Sequence, residues 1–375
     1  VTRAFADALT RAAEIARWAP SSHNSQPWRA VRLAGRRVPS LPEAAEGIEP
    51  VVLVLDRARM LKALPSLRHE MYLSCGMFLG LLVAALEAQG HACALRWLPE
   101  EPRAQGVEGL EAEFGGQALV AVLARPGGRA PDEAALAELA RLAAARRTYR
   151  APFLDRPLSE ADAEALFAAA WSPELTGGAG AVRPEYSPAV IARAADLVAR
   201  HGALDFADRA AWAETYRYIH FDPDAPAEDG FHLASLVGPV SPARRRLMQV
   251  AFAPGVMRLL RAFGLPQRMG RELGALVARS PALLSCGLSG HQPGPKALLQ
   301  AGARLMEVWL NAERLGVAIH PVSVMVQHDE PRRELERACG IRGRAVFFAR
   351  LGYADAAKGF GPTPRRPVDG ILAAA

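Results

Sequence analysis

Pro20-Ser21-Ser22-His23-Asn24-Ser25-Gln26-Pro27-Trp28 sets short hydrogen-bonding side chains between two prolines. Upstream, Phe5, Leu9, Ala12, Ala13 and Ile15 to Trp18 recur at helical spacing, and Pro20 stops that helix. Downstream, Trp28, Val31 and Leu33 resume with a strand-like pattern. The stretch is therefore a helix-to-strand corner where backbone amides are left free, a place suited to gripping a polar ligand. Ser/Asn-rich turns also serve simply to cap the next element, but two flanking prolines, a helix and a Trp make this more than such a turn.

A self-comparison extends the reading to the whole chain. Gly76-Met77-Phe78-Leu79-Gly80 leads to Gly90 and an apolar strand over Ala92 to Leu98, and Gly302-Ala303-Arg304-Leu305-Met306 leads to Gly316 and a strand over Val317 to Met325. Each glycine-to-glycine interval is 14 residues. Gly116-Gln117-Ala118-Leu119-Val120-Ala121-Val122-Leu123 parallels Gly343-Arg344-Ala345-Val346-Phe347-Phe348-Ala349-Arg350 at almost the same offset. The pattern predicts a duplication, with residues 1–145 and 146–375 as two halves and an insertion over about 203–280 in the second. A lid, or extra helices covering a groove, both suit an insertion of that length.

The run Ala19 to Trp28 resembles the FMN-contacting loop of the flavin-dependent nitroreductase family, matching its Pro-Ser-Ser-x-Asn-Ser-Gln-Pro-Trp form at every fixed position. Arg146-Arg147-Thr148-Tyr149-Arg150, then Pro157-Leu158-Ser159 and a helix, resembles the segment that opens a subunit of that family. Here it lies mid-chain, as in the tandem branch. The resemblance implies an α+β, nitroreductase-like fold of mixed and antiparallel sheets, its two fused halves forming a pseudo-dimer that either stays monomeric or dimerises again. It also implies one FMN between the halves. The second half's counterpart of the loop, Ala170 to Leu175, is degenerate.

By the same resemblance, Arg146 and Thr148 would meet the FMN phosphate and ribityl end, and Arg150 the N1/O2 side of the ring. Their alternate spacing aims all three the same way in an extended segment. Ser21, Ser22, Asn24 and Gln26 would contribute from the other half, and Arg365 or, by preference, Arg366 would return to the phosphate. Pro321 and Ser323 fall in the loop over the flavin, where Ser323 and Val324 replace the family's Glu and Gly. That departure touches the N5 environment and argues for a tailoring dehydrogenase ahead of a broad nitroreductase. The chemistry is FMN-dependent hydride transfer to or from a small organic substrate, with NADH or NADPH as electron donor. No catalytic side chain is assigned. Tyr216, Tyr218 and Phe221 are the lid and substrate candidates, and a lid that fills the N5 face would instead make the chain a flavin-sequestering protein.

Composition narrows the alternatives. The 375 residues are half hydrophobic, carry a net charge of +6 and spread their arginines along the chain, without the aromatic-interleaved basic block of a nucleic-acid binder. Four distant cysteines form neither a Cys-x-x-Cys pair nor a disulfide framework. His220, Asp222 and Asp224 read as a charged loop, so no metal is expected, and His69-Glu70 lacks a second His four residues after the first. Apolar segments read as interrupted before the ~18 to 20 residues a membrane helix needs, and no signal pattern opens the chain, so a cytoplasmic protein is expected.

Overall fold

A computed structural model describes residues 3–355 and 363–375, apart from 37, 40, 42–47, 100–105, 128 and 178–181. The strands in chain order are β1 (Trp28–Arg32), β2 (Glu49–Asp56), β3 (His91–Trp97), β4 (Gly116–Pro126), β5 (Val182–Glu185), β6 (Ile219–His220), β7 (Phe231–His232), β8 (Ala282–Leu288), β9 (Val317–Pro321), β10 (Arg344–Tyr353) and β11 (Leu372–Ala374). One sheet runs β11-β1-β2-β4-β3 and another β5-β8-β10-β9. Reading β1, β2, β4, β3 against β5, β8, β10, β9 gives the same order twice, antiparallel throughout. β11, from the end of the chain, crosses over to pair in parallel with β1, Ala30 opposite Leu372.

Two long helices, Leu67–Ala88 and Pro295–Leu315, pack against each other between the sheets. They meet through glycines in a reciprocal way. A Cβ on Gly76 would press on the Leu299 carbonyl, and one on Gly302 would press on the Leu73 carbonyl, so each glycine faces the residue three before the other. That reciprocity is the mark of a two-fold relation between the helices. Each helix is followed by a left-handed glycine, Gly90 at φ +84° and Gly316 at φ +67°, which releases the chain into the next strand.

The helix Leu67–Ala88 corrects the expectation that no segment reaches membrane-spanning length. It is long and apolar enough to cross a bilayer, because Gly76 and Gly80 do not interrupt a helix as they would a strand. Its residues from Met71 to Leu86 are almost all buried, the pattern of a helix apolar all round that lies inside a core. Trp28 stacks on Phe78 there, ring centroids 5.1 Å apart. The same core runs on without a break through Leu298, Leu305 and Trp309 of the other long helix.

The strand expected over Val317 to Met325 stops at Pro321, and a short helix, Val324–Gln327, follows. Val322, Val324, Met325 and Val326 are β-branched or apolar because they bury in a separate cluster with Ile191, Val198 and Leu335, not because they continue the ladder. Ser159 caps the helix Glu160–Phe167 as its sequence predicts, its Oγ accepting from Asp162 N at 3.1 Å. Ser159→Ala should lower stability by about 1 kcal/mol in chemical denaturation.

Between the helix Pro188–His201 and β8 lie six further helices and the small parallel pair β6-β7. This region has its own small core of Trp212, Ile219, Leu233 and Met257. Its last helix, Leu265–Ala278, returns against Pro188–His201, with Gly274 set closely against Ala195 and Ala199.

Candidate functional site

The 20–28 corner holds its shape at a conformational cost. His23 at φ 53°, Asn24 at φ 53° and Gln26 at φ 49° are left-handed without being glycine, a concentration of strain that persists only where surroundings over-determine it. Those surroundings are visible. Asn24 Nδ2 donates to Gly230 O at 2.9 Å and Pro364 O at 2.8 Å, and Gln26 Nε2 donates to Glu228 O at 2.7 Å. The loop thus ties together the insertion and the C-terminal segment, both from the second half.

Two adjoining cavities open beside it. The larger, about 290 Å³, takes Ser21 and Ser22 from the corner, Thr148 and Arg150 from the mid-chain segment, and Pro321 and Ser323 from the loop after β9. The smaller, about 70 Å³, is lined by Asn24, Arg146, Arg147, Thr148, Arg150 and Arg365 and, among the described residues, by no carboxylate. Ser21, Thr148 and Arg150 belong to both, so the two form one continuous, elongated site. Thr148 is held extended by a parallel bridge to Ile319, which lets Arg146 and Arg150 face the same space.

The electrostatics of the small cavity are those of an anion site. Arg146 is 3 % exposed, stacks over Trp309 at 5.0 Å, and leaves Nε and Nη1 without a hydrogen-bond partner among the described residues. Burial first, then Arg147 and Arg150, push its pKa down to about 9, with Glu313 opposing. Burial and the neighbouring Arg146, Arg147 and Arg17 likewise drive Arg365 well below its ordinary value, and its Nη1 donates to Asn24 Oδ1 at 2.9 Å. Burial lowers Arg150 to about 10. Buried guanidinium groups with unused donors are costly until an anion fills their forks.

The structure places Gln26 and Arg366 away from the expected flavin contacts. Among the described residues, neither lines either of these two cavities. Arg366 N donates to Gln26 Oε1 at 3.0 Å, and its guanidinium donates to the carbonyls of Gln26, Trp28 and Gly370. Arg365, not Arg366, is the residue of that pair that faces the site, because the backbone between prolines 364 and 367 turns alternate side chains to opposite sides. Tyr216, Tyr218 and Phe221 are corrected in the same way. Tyr216 packs against Phe221 with tilted rings 5.3 Å apart and Tyr218 packs against His23 at 5.8 Å, while Phe206, Trp212, Thr215 and Phe231 contribute to the insertion's face of the larger cavity.

Some residues of the site escaped the sequence reading. His320 lines the larger cavity and its Nδ1 accepts from Arg350 Nε at 2.9 Å, so its proton sits on Nε2. Burial, then Arg350 and Arg150, hold it well below the usual imidazole range, and it is a neutral donor. His23 is lowered to about 4 by burial and Arg150, and its Nε2 lies 2.8 Å from Thr215 Oγ1. Glu70, which in the sequence stands out only beside His69 in an incomplete metal motif, also reaches the larger cavity. A charge abutting the apolar run from Met71 was the one available signal.

At the place related to the corner in the second half, Trp171 packs its ring on Gly80 and the N–H groups of Ala170 and Trp171 donate to Glu307 Oε1 at 2.5 and 2.7 Å. Glu307 is paired in turn with the buried Arg304.

Across 372 residues the chain is 34% identical to "Probable NAD(P)H nitroreductase PigM" of Serratia sp. (strain ATCC 39006), which spans 99% of this chain and 95% of that protein. It matches no protein-family model. Among solved structures it is similar to the FMN-dependent nitroreductase NfnB from Mycobacterium smegmatis in complex with NADPH, at 18% identity over 62% of this chain and 96% of that one, TM-score 0.37. A candidate nitroreductase from Anabaena variabilis shares 10% identity over 90% of this chain and 82% of that one, TM-score 0.45.

Proposed function

Because the chain belongs to the nitroreductase family, we propose that it is an FMN-dependent oxidoreductase of a small organic substrate, using NADH or NADPH as its nicotinamide partner. One observation carries the reading: the buried Arg146, with Nε and Nη1 unpartnered among the described residues, opens onto a cationic cavity that runs directly into a larger, mostly apolar one. A dianionic head with a flat body fits that shape and charge. When bound, FMN supplies a ring that accepts and returns a hydride.

The chain's own residues then have separate tasks. Arg146 and Arg365 neutralise the phosphate, with Arg147 adding to the local field. Thr148 and Ser21, which border both cavities, hold the connecting polyol. Arg150, pinned by its donation to Ser235 O at 3.2 Å, balances negative charge at the N1/O2 edge of the ring. The loop at Pro321 and Ser323 bounds the reacting face, and His320 offers a neutral N–H to an oxygen or nitrogen there. Phe206, Trp212 and Phe231 make an apolar wall that excludes water from it.

Residues 1–145 and 146–375 act as the two halves of a pseudo-dimer, with one such site between them. The replacement of Glu and Gly by Ser323 and Val324 favours a substrate-specific dehydrogenase over broad nitro reduction. Sequestration would require Phe206, Trp212 or Phe231 of the insertion to cover the ring's reacting face, and reduction of the bound flavin by NADH or NADPH separates the two readings.

The visible spectrum of the purified protein, before and after anaerobic NADH or NADPH, tests the reading. A yellow protein that releases FMN and bleaches with either donor is the expected result. A protein that cannot be loaded with FMN would sink it.

A further inference from the structure

The polar side of the larger cavity holds a carboxyl group to which the flavin reading assigns no task. Glu70 stands in the first turn of the helix Leu67–Ala88, and its side chain reaches the cavity beside Ser22, Ser74 and Gln327. Gln327 comes from the other half and donates Nε2–H to Glu70 Oε1 at 2.6 Å. Its carbonyl is held in turn by Ser66 Oγ at 2.7 Å. The carboxyl group is therefore aimed by both halves, and no guanidinium or ammonium is paired with it among the described residues.

Its surroundings set its protonation. Burial pushes the Glu70 pKa up to about 7, the Asp205 carboxylate adds to that, and hydrogen bonds from Ser22 and Gln327 oppose it. The other titratable groups on the same wall are spoken for. His23 and His320 are neutral, Asp205 is paired with His328 Nε2 at 2.8 Å, and Glu214 accepts from the backbone of Lys62 at 2.9 Å and Ala63 at 3.1 Å. Arg150 is held by Ser235. A group poised near neutrality in a cavity is what proton transfer at neutral pH requires.

We propose that Glu70 is a catalytic residue that exchanges a proton with the substrate, and that the substrate is a flat, largely apolar molecule bearing an O–H or N–H in its reduced form. This rests on the flavin reading for the other half of the exchange. In the oxidative direction a C–H bond would break and its hydrogen would leave with the electron pair as hydride, the two-electron acceptor being the flavin that the site would hold. The adjacent O–H or N–H bond breaks, its proton passes to the Glu70 carboxylate, and its electron pair completes a C=O or C=N bond. In the reductive direction Glu70 returns the proton. Phe206, Trp212 and Phe231 supply the flat apolar wall such a molecule needs.

The test compares FMN-loaded wild type with Glu70→Gln, using 2-naphthol as a flat phenolic probe. Both proteins should hold equal flavin. Wild-type affinity for naphthol should rise about tenfold from about pH 6 to about pH 8 as the accepting carboxylate forms, and the Glu70→Gln profile should be flat. In infrared difference spectra the wild type should show a protonated-carboxyl band that disappears near neutrality and shifts with naphthol. Identical pH profiles in the two proteins would overturn the proposal. Should Glu70→Gln fail to fold, the wild-type spectra decide, and the absence of a carboxyl band titrating near neutrality overturns it. A wild type that shows the naphthol profile but cannot take up FMN would remove the oxidoreductase reading and retain Glu70 as the proton-accepting group for the ligand.

Discussion

Gly302→Ala should destabilise the protein by about 3 to 5 kcal/mol, although helix propensity alone would make the change favourable by up to about 1 kcal/mol. The reason is the close crossing of the two long helices. A Cβ at this position would sit 3.0 Å from Gly76 Cα and closer still to the Leu73 carbonyl oxygen, and neither is the movable end of a side chain. Backbone must shift against backbone. Separating the helices would loosen the contacts of Phe78, Leu305 and Met306 along the shared core, so the cost exceeds that of an ordinary overpacked side chain. Gly76→Ala should behave in the same way, because the contact is reciprocal. Gly255→Ala, where an added Cβ meets nothing within 4 Å, serves as the control and should be close to neutral. Denaturant titrations of the three variants check the expectation. If Gly302→Ala proved as stable as Gly255→Ala, the close crossing would be wrong.

Arg146→Ala should weaken FMN binding about 10- to 100-fold, the loss of about 1.5 to 3 kcal/mol for a charge-assisted hydrogen bond in a site shielded from water. Its effect on the flavin-free protein should be small. A base whose pKa is lowered by folding, here to about 9, opposes folding at every pH where the group is charged in both states. The penalty is fully present below about pH 9 and fades as pH rises toward the unfolded value. Removing the guanidinium relieves it, offsetting the packing lost over Trp309. Arg366 should do the reverse on substitution by Ala, although burial lowers its pKa too, to about 10, because its donors are used. Its guanidinium satisfies three backbone carbonyls in the fold, so Arg366→Ala should lower stability in the absence of any flavin. Flavin titrations beside denaturation curves separate the two cases. Tight FMN binding by Arg146→Ala would remove the phosphate assignment.

How far each residue could be read in advance depended on whether its task is local. Arg146, Thr148 and Arg150 occupy alternate positions over two periods of an extended backbone, so a single extended segment, pinned at Thr148, was enough to aim them together. Ser159 caps a helix whose first turn is written beside it. By contrast, Gln26 and Arg366 lie 340 residues apart and bond to each other, and nothing near either position announces the partner. The apolar run over Val322 to Val326 was open to both strand and helix, since burial selects the same residue types for each, and only its packing against Ile191 and Leu335 decided between them.

The amino-acid sequence by itself determined the duplicated plan, the corner at residues 20–28 and the cationic segment at 146–150, because periodicity, prolines and glycine spacing act over a few residues at a time. Only the tertiary structure decided that Arg365 faces the site while Arg366 braces the fold, that Trp212 and Phe231 rather than Tyr216 and Phe221 wall the cavity, and that Glu70 meets Gln327 across the two halves. Those outcomes depend on which distant surfaces come to exclude water together, and that is a property of the packed chain.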